Sequence, residues 1–190
     1  MNGMSTMCTR AEKITSEEDL KTFVECYERV YGKSILTLDF ARECEDVYLF
    51  RDEEGTPVGG YTINTKQAYR TLSFIPAELA AHFRGQASGV KTYELGTIWV
   101  AENWRNGREK LEVSLHILGN MITRHDAVMI GCTGVESNYK LYSRYGVKLA
   151  YYGPMKRPDG DYVQGWIFYI DDLSCTKVPA MYEALKKRLG

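Results

Sequence analysis

Three groups of residues in this 190-residue chain have types and spacings that could do chemistry. The first is the polar segment Ala101-Glu102-Asn103-Trp104-Arg105-Asn106-Gly107-Arg108-Glu109. It follows a β-branched and aromatic run and leads into a helical pattern, where the first backbone amides lack intrahelical partners and the helix dipole favours an anion. Arg105 and Arg108 add positive charge, and Gly107 permits close backbone approach. Such a loop suits a pyrophosphate or phosphopantetheine group; it equally fits a solvated loop before an ordinary helix. The second group centres on Glu94 in the run Thr92 to Val100. Strand alternation puts Glu94 on one face with Gly96, Ile98 and Val100. A carboxylate among apolar neighbours would have a raised pKa and could accept a proton near neutral pH; at a frayed strand start it would instead be solvated. The third group is Tyr139, Tyr142 and Tyr145, three residues apart along one helix side. One could be a phenolic acid aimed at a leaving thiolate, whereas packing with the hydroxyl at a rim is the default for at least two of the three.

Histidine and cysteine add little to this set. His82, His116 and His125 have no partners at ligand spacing, so no metal is expected, and His116 should lie on the surface of its helix. Cys132 sits on a central strand without a histidine at a defined position, which disfavours a covalent acyl-cysteine route. The five cysteines (Cys8, Cys26, Cys44, Cys132, Cys175) form no C-x-x-C pair and read as reduced thiols.

The elements that must position these groups follow from periodicity. Ser16 with Asp19 marks a helix start, and Leu20, Phe23, Val24, Tyr27, Val30 and Tyr31 recur at three and four, giving a helix over 16–31 stopped by Gly32. A short helix at 38–44 precedes a hairpin, with strands from Val47 and from Val58 to Thr65 joined by the turn 51–57. Residues 69–75 read as a further strand, and Pro76 opens a helix to Phe83. After the strand 92–100 comes a long helix whose buried stripe should be Leu111, Leu115, Leu118 and Ile122. A buried strand at 127–132, a helix at 136–145 closed by Gly146, strands at 147–152 and 162–170 around the turn 154–160, and a last helix at 179–189 complete the chain. Strand, loop, helix, strand, helix, strand is an α/β order with helices covering a central sheet.

Composition narrows the class. With 44% hydrophobic and 26% charged residues and a net charge of -1, the chain is expected to form one globular domain over 1–190. It has no apolar run of about 20 residues to span a membrane and no signal-peptide pattern at its start, so a cytoplasmic location is expected. Neutral charge provides no broad attraction for nucleic acid.

The segment from the strand ending at Val100, through Trp104-Arg105-Asn106-Gly107, the long helix and Ala127 to Cys132, to Tyr142-Ser143-Arg144-Tyr145-Gly146-Val147, resembles the GCN5-related N-acetyltransferase (GNAT) superfamily. The resemblance spans roughly 20–155 as an order of elements. It implies a GNAT-like α/β fold, with a mixed, twisted central sheet and helices on both faces. It also implies an N-acyltransferase that moves an acyl group from acetyl-CoA or another acyl-CoA to a small-molecule primary amine. By resemblance, Tyr142 is the general acid and Glu94 the base or water-positioning group; Ile98, Trp99, Val100, Arg105, Asn106, Gly107, Arg108 and Asn138 hold the acyl-CoA. The family's phosphate loop, Q/R-x-x-G-x-G/A, is irregular here: counted from Arg105, its glycine positions carry Arg108 and Lys110. Asp46 to Tyr61, Phe74 to Glu78 and Tyr93-Glu94-Leu95-Gly96-Thr97 are similar to the acyl-homoserine-lactone and N-acyl amino acid synthases. Those enzymes draw acyl groups mainly from acyl-carrier protein, although Thr97 stands where their motif has an arginine. A carrier-protein-dependent synthase is therefore an alternative, and a non-catalytic binding module of the same fold is another. Late strands in this fold often pair between subunits, leaving monomer and homodimer both open.

Overall fold

The computed structural model describes residues 9–32, 36–66, 69–86, 89–105, 107–157, 160–173 and 176–190. Helix α1 (Glu17–Tyr31) starts where the Ser16 hydroxyl accepts the Asp19 N–H and stops at Gly32, whose φ of 98° few other residues adopt. Thr37 caps α2 (Leu38–Glu43) in the same way. The hairpin of β2 (Asp46–Arg51) and β3 (Pro57–Asn64) turns on Asp52, whose carboxylate accepts the N–H groups of Glu54 and Thr56.

The other strands are β1 (Arg10–Lys13), β4 (Thr92–Val100), β5 (Val128–Thr133), β6 (Lys148–Lys156) and β7 (Tyr162–Ile170). Together they form one sheet in the order β1-β2-β3-β4-β5-β7-β6, in which the β4 and β5 pair is parallel and the other pairs are antiparallel. The remaining helices are α3 (Arg70–Ser73), α4 (Ala77–Gln86), α5 (Arg108–Thr123), α6 (Glu136–Ser143) and α7 (Val178–Leu189). Alternation sorts the strand residues between two faces. Val47 and Leu49 meet α1 and α2, while Tyr48 and Phe50 join the cluster under α5. Ile130 and Ile167 meet α3 and α4, while Met129 and Phe168 meet α5 to α7. The mixed α/β sheet with helices on both faces is therefore as expected.

Four local expectations change. Residues 69–75 form not a strand but the short helix α3 and its flanks. Tyr69, Leu72 and Ile75, three residues apart, all point into the core beside α4, and a buried carboxylate on β4 takes the helix's first N–H groups. Helix α4 begins one residue after Pro76, whose carbonyl accepts the Ala80 N–H. The buried stripe of α5 is Val113, Ile117, Leu118 and Met121, extended by Glu109 and Glu112. Glu112 is buried because Thr9 donates its N–H and hydroxyl to one carboxylate oxygen and Arg108 bonds the other, so a charged residue occupies a core position. His116 faces the sheet rather than solvent. Its Nδ1 lies 2.8 Å from the Tyr61 hydroxyl, which in turn accepts from Asn120, and its ring packs against Tyr48 and Phe50. Burial lowers its pKa.

Candidate active site

The centre of the sheet is defined by a defect in β4. Thr62 on β3 lies opposite Gly96, yet Gly60 lies opposite Trp99, so Thr97 and Ile98 together face Tyr61 in a β-bulge. Thr97 has φ 46°, unusual for a β-branched residue, and its hydroxyl donates to Thr62 Oγ1 at 2.7 Å. The extra residue reverses the alternation. Glu94 and Gly96 lie on the α1 to α4 face, but Ile98 and Val100 pack on the α5 face, and Trp99 lies under Phe23 of α1. Glu94 therefore does not share a face with Ile98 and Val100.

A second irregularity adjoins the bulge. The parallel pairing of β4 with β5 runs from Thr92↔Val128 only to Glu94↔Ile130, although β4 continues to Val100 and β5 to Thr133. Beyond Glu94 the two strands splay. Because the Ala101 N–H bonds Val58 on the β3 side, the peptide groups of Val100 and Ile98 point the other way, into the split. The Ile98 carbonyl accepts the Tyr31 hydroxyl at 3.0 Å, and the Val100 carbonyl accepts Arg105 Nε at 3.4 Å. The backbone of Trp99 faces β3 instead.

Tyr142 on α6 has its ring 5.1 Å from that of Phe168, and its phenol neighbours both Tyr31, whose hydroxyl bonds the Ile98 carbonyl, and Cys132 on β5. The Tyr142 hydroxyl makes no hydrogen bond with any described residue. Burial, with the neighbouring Tyr31, Tyr145 and Cys132, pushes its pKa up to about 12, so it is a proton carrier at neutral pH. Tyr139 stacks on Trp166, and Tyr145 is partly buried against the core. Burial also pushes the Cys132 thiol, which accepts from Thr71 Oγ1, up to about 11, so it is a poor nucleophile. Tyr31, the last residue of α1, was not singled out by sequence; its signal was only that it ended an amphipathic stripe.

Glu94 is 3% exposed and sits among donors, not apolar walls. Its Oε1 accepts the Thr71 N–H at 2.5 Å; its Oε2 accepts the Arg70 N–H at 2.9 Å and Asn64 Nδ2 at 3.3 Å. Three of the roughly four acceptor positions of a carboxylate are thus filled, and the carboxylate fixes the start of α3 on the sheet.

The start of α5 differs from the expected anion loop. Arg108 bonds Glu112 through Nε at 3.0 Å and the Leu189 carbonyl through Nη2 at 2.8 Å, tying α5 to the end of α7. Glu109 folds back so that a Cβ on Gly107 would strike its carboxylate. A depression of about 520 Å³ flanks this turn, rimmed by Arg105, Arg108, Lys110 and Arg188. Asn138 is partly buried in the first turn of α6; Asn106 lies outside the described residues. Among the described residues, no cluster of three or more His, Cys, Asp or Glu side chains could hold a metal, and no helix is long and apolar enough to cross a membrane.

No protein-family model and no curated protein sequence matches the chain. Solved structures do. FeeM, an N-acyl amino acid synthase from uncultured soil microbes, superposes with a TM-score of 0.67 at 13% identity, covering 91% of this chain and 96% of its own. A GNAT superfamily phosphinothricin acetyltransferase from Sinorhizobium meliloti, in complex with AcCoA, gives 0.56 at 14% identity over 86% and 88% of the two chains. A GNAT family acetyltransferase from Elizabethkingia anophelis with acetyl-CoA bound gives 0.56 at 12%, over 87% and 99%. The chain has the GNAT fold. Within that fold, the strand split and its inward peptide groups fit a pantetheine arm and thioester. The start of α5, which already carries the Glu109 carboxylate, fits a pyrophosphate less well.

Proposed function

We propose that the protein is an N-acyltransferase in which a primary amine attacks an acyl thioester directly. The observation that carries this is the early end of β4–β5 pairing at Glu94 and Ile130, with the Ile98 and Val100 peptide groups turned into the gap and the Tyr142 hydroxyl beside it. An extended pantetheine arm would lie along β4 as a strand does, and a peptide N–H of Ile98 or Val100 would polarise the thioester carbonyl. The amine nitrogen forms the new C–N bond, the C–S bond breaks, and Tyr142 gives its proton to the departing sulfur. The amine's proton leaves through water held at the remaining acceptor position of Glu94. Acyl-CoA supplies the activated acyl group when bound; Arg105, Lys110 and Arg188 would meet its phosphates. The neutral Cys132 thiol supports direct attack over a covalent relay.

A second reading concerns the donor. Glu109 at the first turn of α5 leaves the phosphate to the cationic rim, an arrangement better suited to the single phosphodiester of a carrier-bound phosphopantetheine than to a pyrophosphate cradled on backbone amides. Thermal shift with acetyl-CoA, longer acyl-CoAs and acyl-carrier protein separates the two. A rise in melting temperature with acyl-CoA supports the first, a rise only with the charged carrier the second, and no shift with any removes the enzyme reading.

A further inference from the structure

Two carbonyls of β4 face the gap that β5 leaves, and each is held by a side chain from outside the sheet. Ile98 accepts from the Tyr31 hydroxyl at 3.0 Å and Val100 from Arg105 Nε at 3.4 Å. A strand carbonyl that has lost its neighbouring strand needs a donor from elsewhere, and at Ile98 that donor is a phenol. Tyr31 is the last residue of α1, followed directly by Gly32 with φ 98°. Its ring lies 4.9 Å from that of Tyr27, one turn earlier, at a tilt of 48°. Helix α1 covers the α1 to α4 face of the sheet, whereas α6 with Tyr142 packs on the other. Two phenols therefore meet at the split from opposite faces, and each is a neighbour of the other. Burial and the nearby Tyr27 raise the Tyr31 pKa, with the Arg105 charge opposing them, so the phenol is protonated at neutral pH and able to donate.

This contact lies where the proposed donor has to bind. An extended thioester arm lying along β4 makes bonds to the strand's N–H and C=O groups as a neighbouring strand does, and the Ile98 carbonyl is one of those groups. Donor and Tyr31 compete for it. Tyr31 is 42% exposed, so its ring borders solvent. A rotamer change, which exposed side chains complete within nanoseconds, carries the hydroxyl out of the gap without moving α1. Resting on the acyltransferase reading above, we infer that Tyr31 is the gate of the thioester subsite: its phenol closes the β4–β5 split in the unliganded protein and swings out when an acyl-pantetheine arm takes the Ile98 carbonyl. The exchange replaces one hydrogen bond by another, so the gate lowers donor affinity only slightly while keeping the split filled between turnovers.

The test uses S-acetyl-4′-phosphopantetheine, the portion that acyl-CoA and a carrier-bound donor share. Tyr31→Phe keeps the ring beside Tyr27 and removes only the competing hydroxyl. In a calorimetric titration this variant should bind the probe about two- to tenfold more tightly than the wild type, the net worth of one neutral hydrogen bond. A second measurement keeps the hydroxyl: with 3-fluorotyrosine placed at position 31 alone, the fluorine resonance should move to its solvent-exposed position when the probe saturates the protein. That readout decides the matter if Tyr31→Phe fails to fold. Equal or weaker binding of the probe by a folded Tyr31→Phe protein, or a fluorine resonance that stays in place at saturation, overturns the gate and leaves acyl transfer standing. A wild type and variant that bind neither the probe, acetyl-CoA nor acyl-carrier protein overturn the acyltransferase reading and the gate with it.

Discussion

The two ends of the candidate site are built on different plans. At the β4–β5 split, the groups turned toward a ligand are backbone peptides and one phenol that makes no hydrogen bond with the described residues, and they are placed by a bulge and an interrupted ladder. At the start of α5, the charged side chains that look made for phosphate largely answer to one another: Arg108 to Glu112 and Leu189, Glu112 to Thr9, Glu109 to the turn itself. The split keeps polar capacity open; the helix start spends much of it on joining α5, α7 and the N-terminal segment. Charged residue types at a loop are therefore a weaker guide to a ligand than backbone that a neighbouring strand has left.

The sharpest way to break this contrast is at Glu94, which serves both architecture and chemistry. Glu94→Ala strips the buried N–H groups of Arg70 and Thr71 of their acceptor, and each charge-assisted bond lost costs about 1.5–3 kcal/mol. We expect a drop in the urea midpoint, together with a loss of turnover of about 10²-fold or more. Tyr142→Phe removes only a hydroxyl. Its kcat should fall by about 10²-fold with little change in donor KM, and steady-state kinetics with an undiminished kcat would exclude Tyr142 as the acid.

The helix start should respond in the opposite sense. Arg108→Ala leaves the buried Glu112 short of its cation and should cost about 1–3 kcal/mol in a denaturant melt. Arg105→Ala, on an exposed residue, should leave the melt unchanged and raise donor KM a few-fold. If the two swap, with Arg105 affecting stability and Arg108 only affinity, the contrast fails.

The smallest effect is alkaline. Tyr142 and Tyr93 are each pushed by burial up to about 12. An unfolded tyrosine ionises near pH 10, so between roughly pH 10 and 12 the unfolded state loses protons that the folded state keeps. Stability contributed by both groups is fully present below pH 10 and declines above it. Urea midpoints should fall across that window, and Tyr142→Phe should lessen the slope.

Much of the architecture is legible in local pattern. The capped start and glycine stop of α1, the Asp52 hairpin turn, the apolar β5 and the helix closed near Gly146 lie where spacing puts them. The misreadings share a cause. Glu112 and Glu109 stand on the buried side of α5, so an apolar stripe drawn without them is rotated. Residues 69–75 alternate enough to pass for a strand, while Glu94, some 23 residues further along, supplies the caps that make part of them a helix. Tyr31 carries no motif, and only the packing of α1 over β4 makes it a neighbour of the split.

Periodicity, caps and turn residues are properties of a few consecutive amino acids, and they are enough to dictate six of the helices (α1, α2 and α4 to α7), six of the strands (β2 to β7) and an α/β class, while β1 and α3 escape them. Which way Glu94 faces relative to Val100 is not such a property. It depends on the β3–β4 register, where one extra residue at Thr97 reverses every side chain beyond it. A β-branched residue at positive φ has no local preference to announce it. The bond from Thr97 to Thr62 and the packing of both faces hold it there, so the geometry that opens the split exists only once the sheet has assembled.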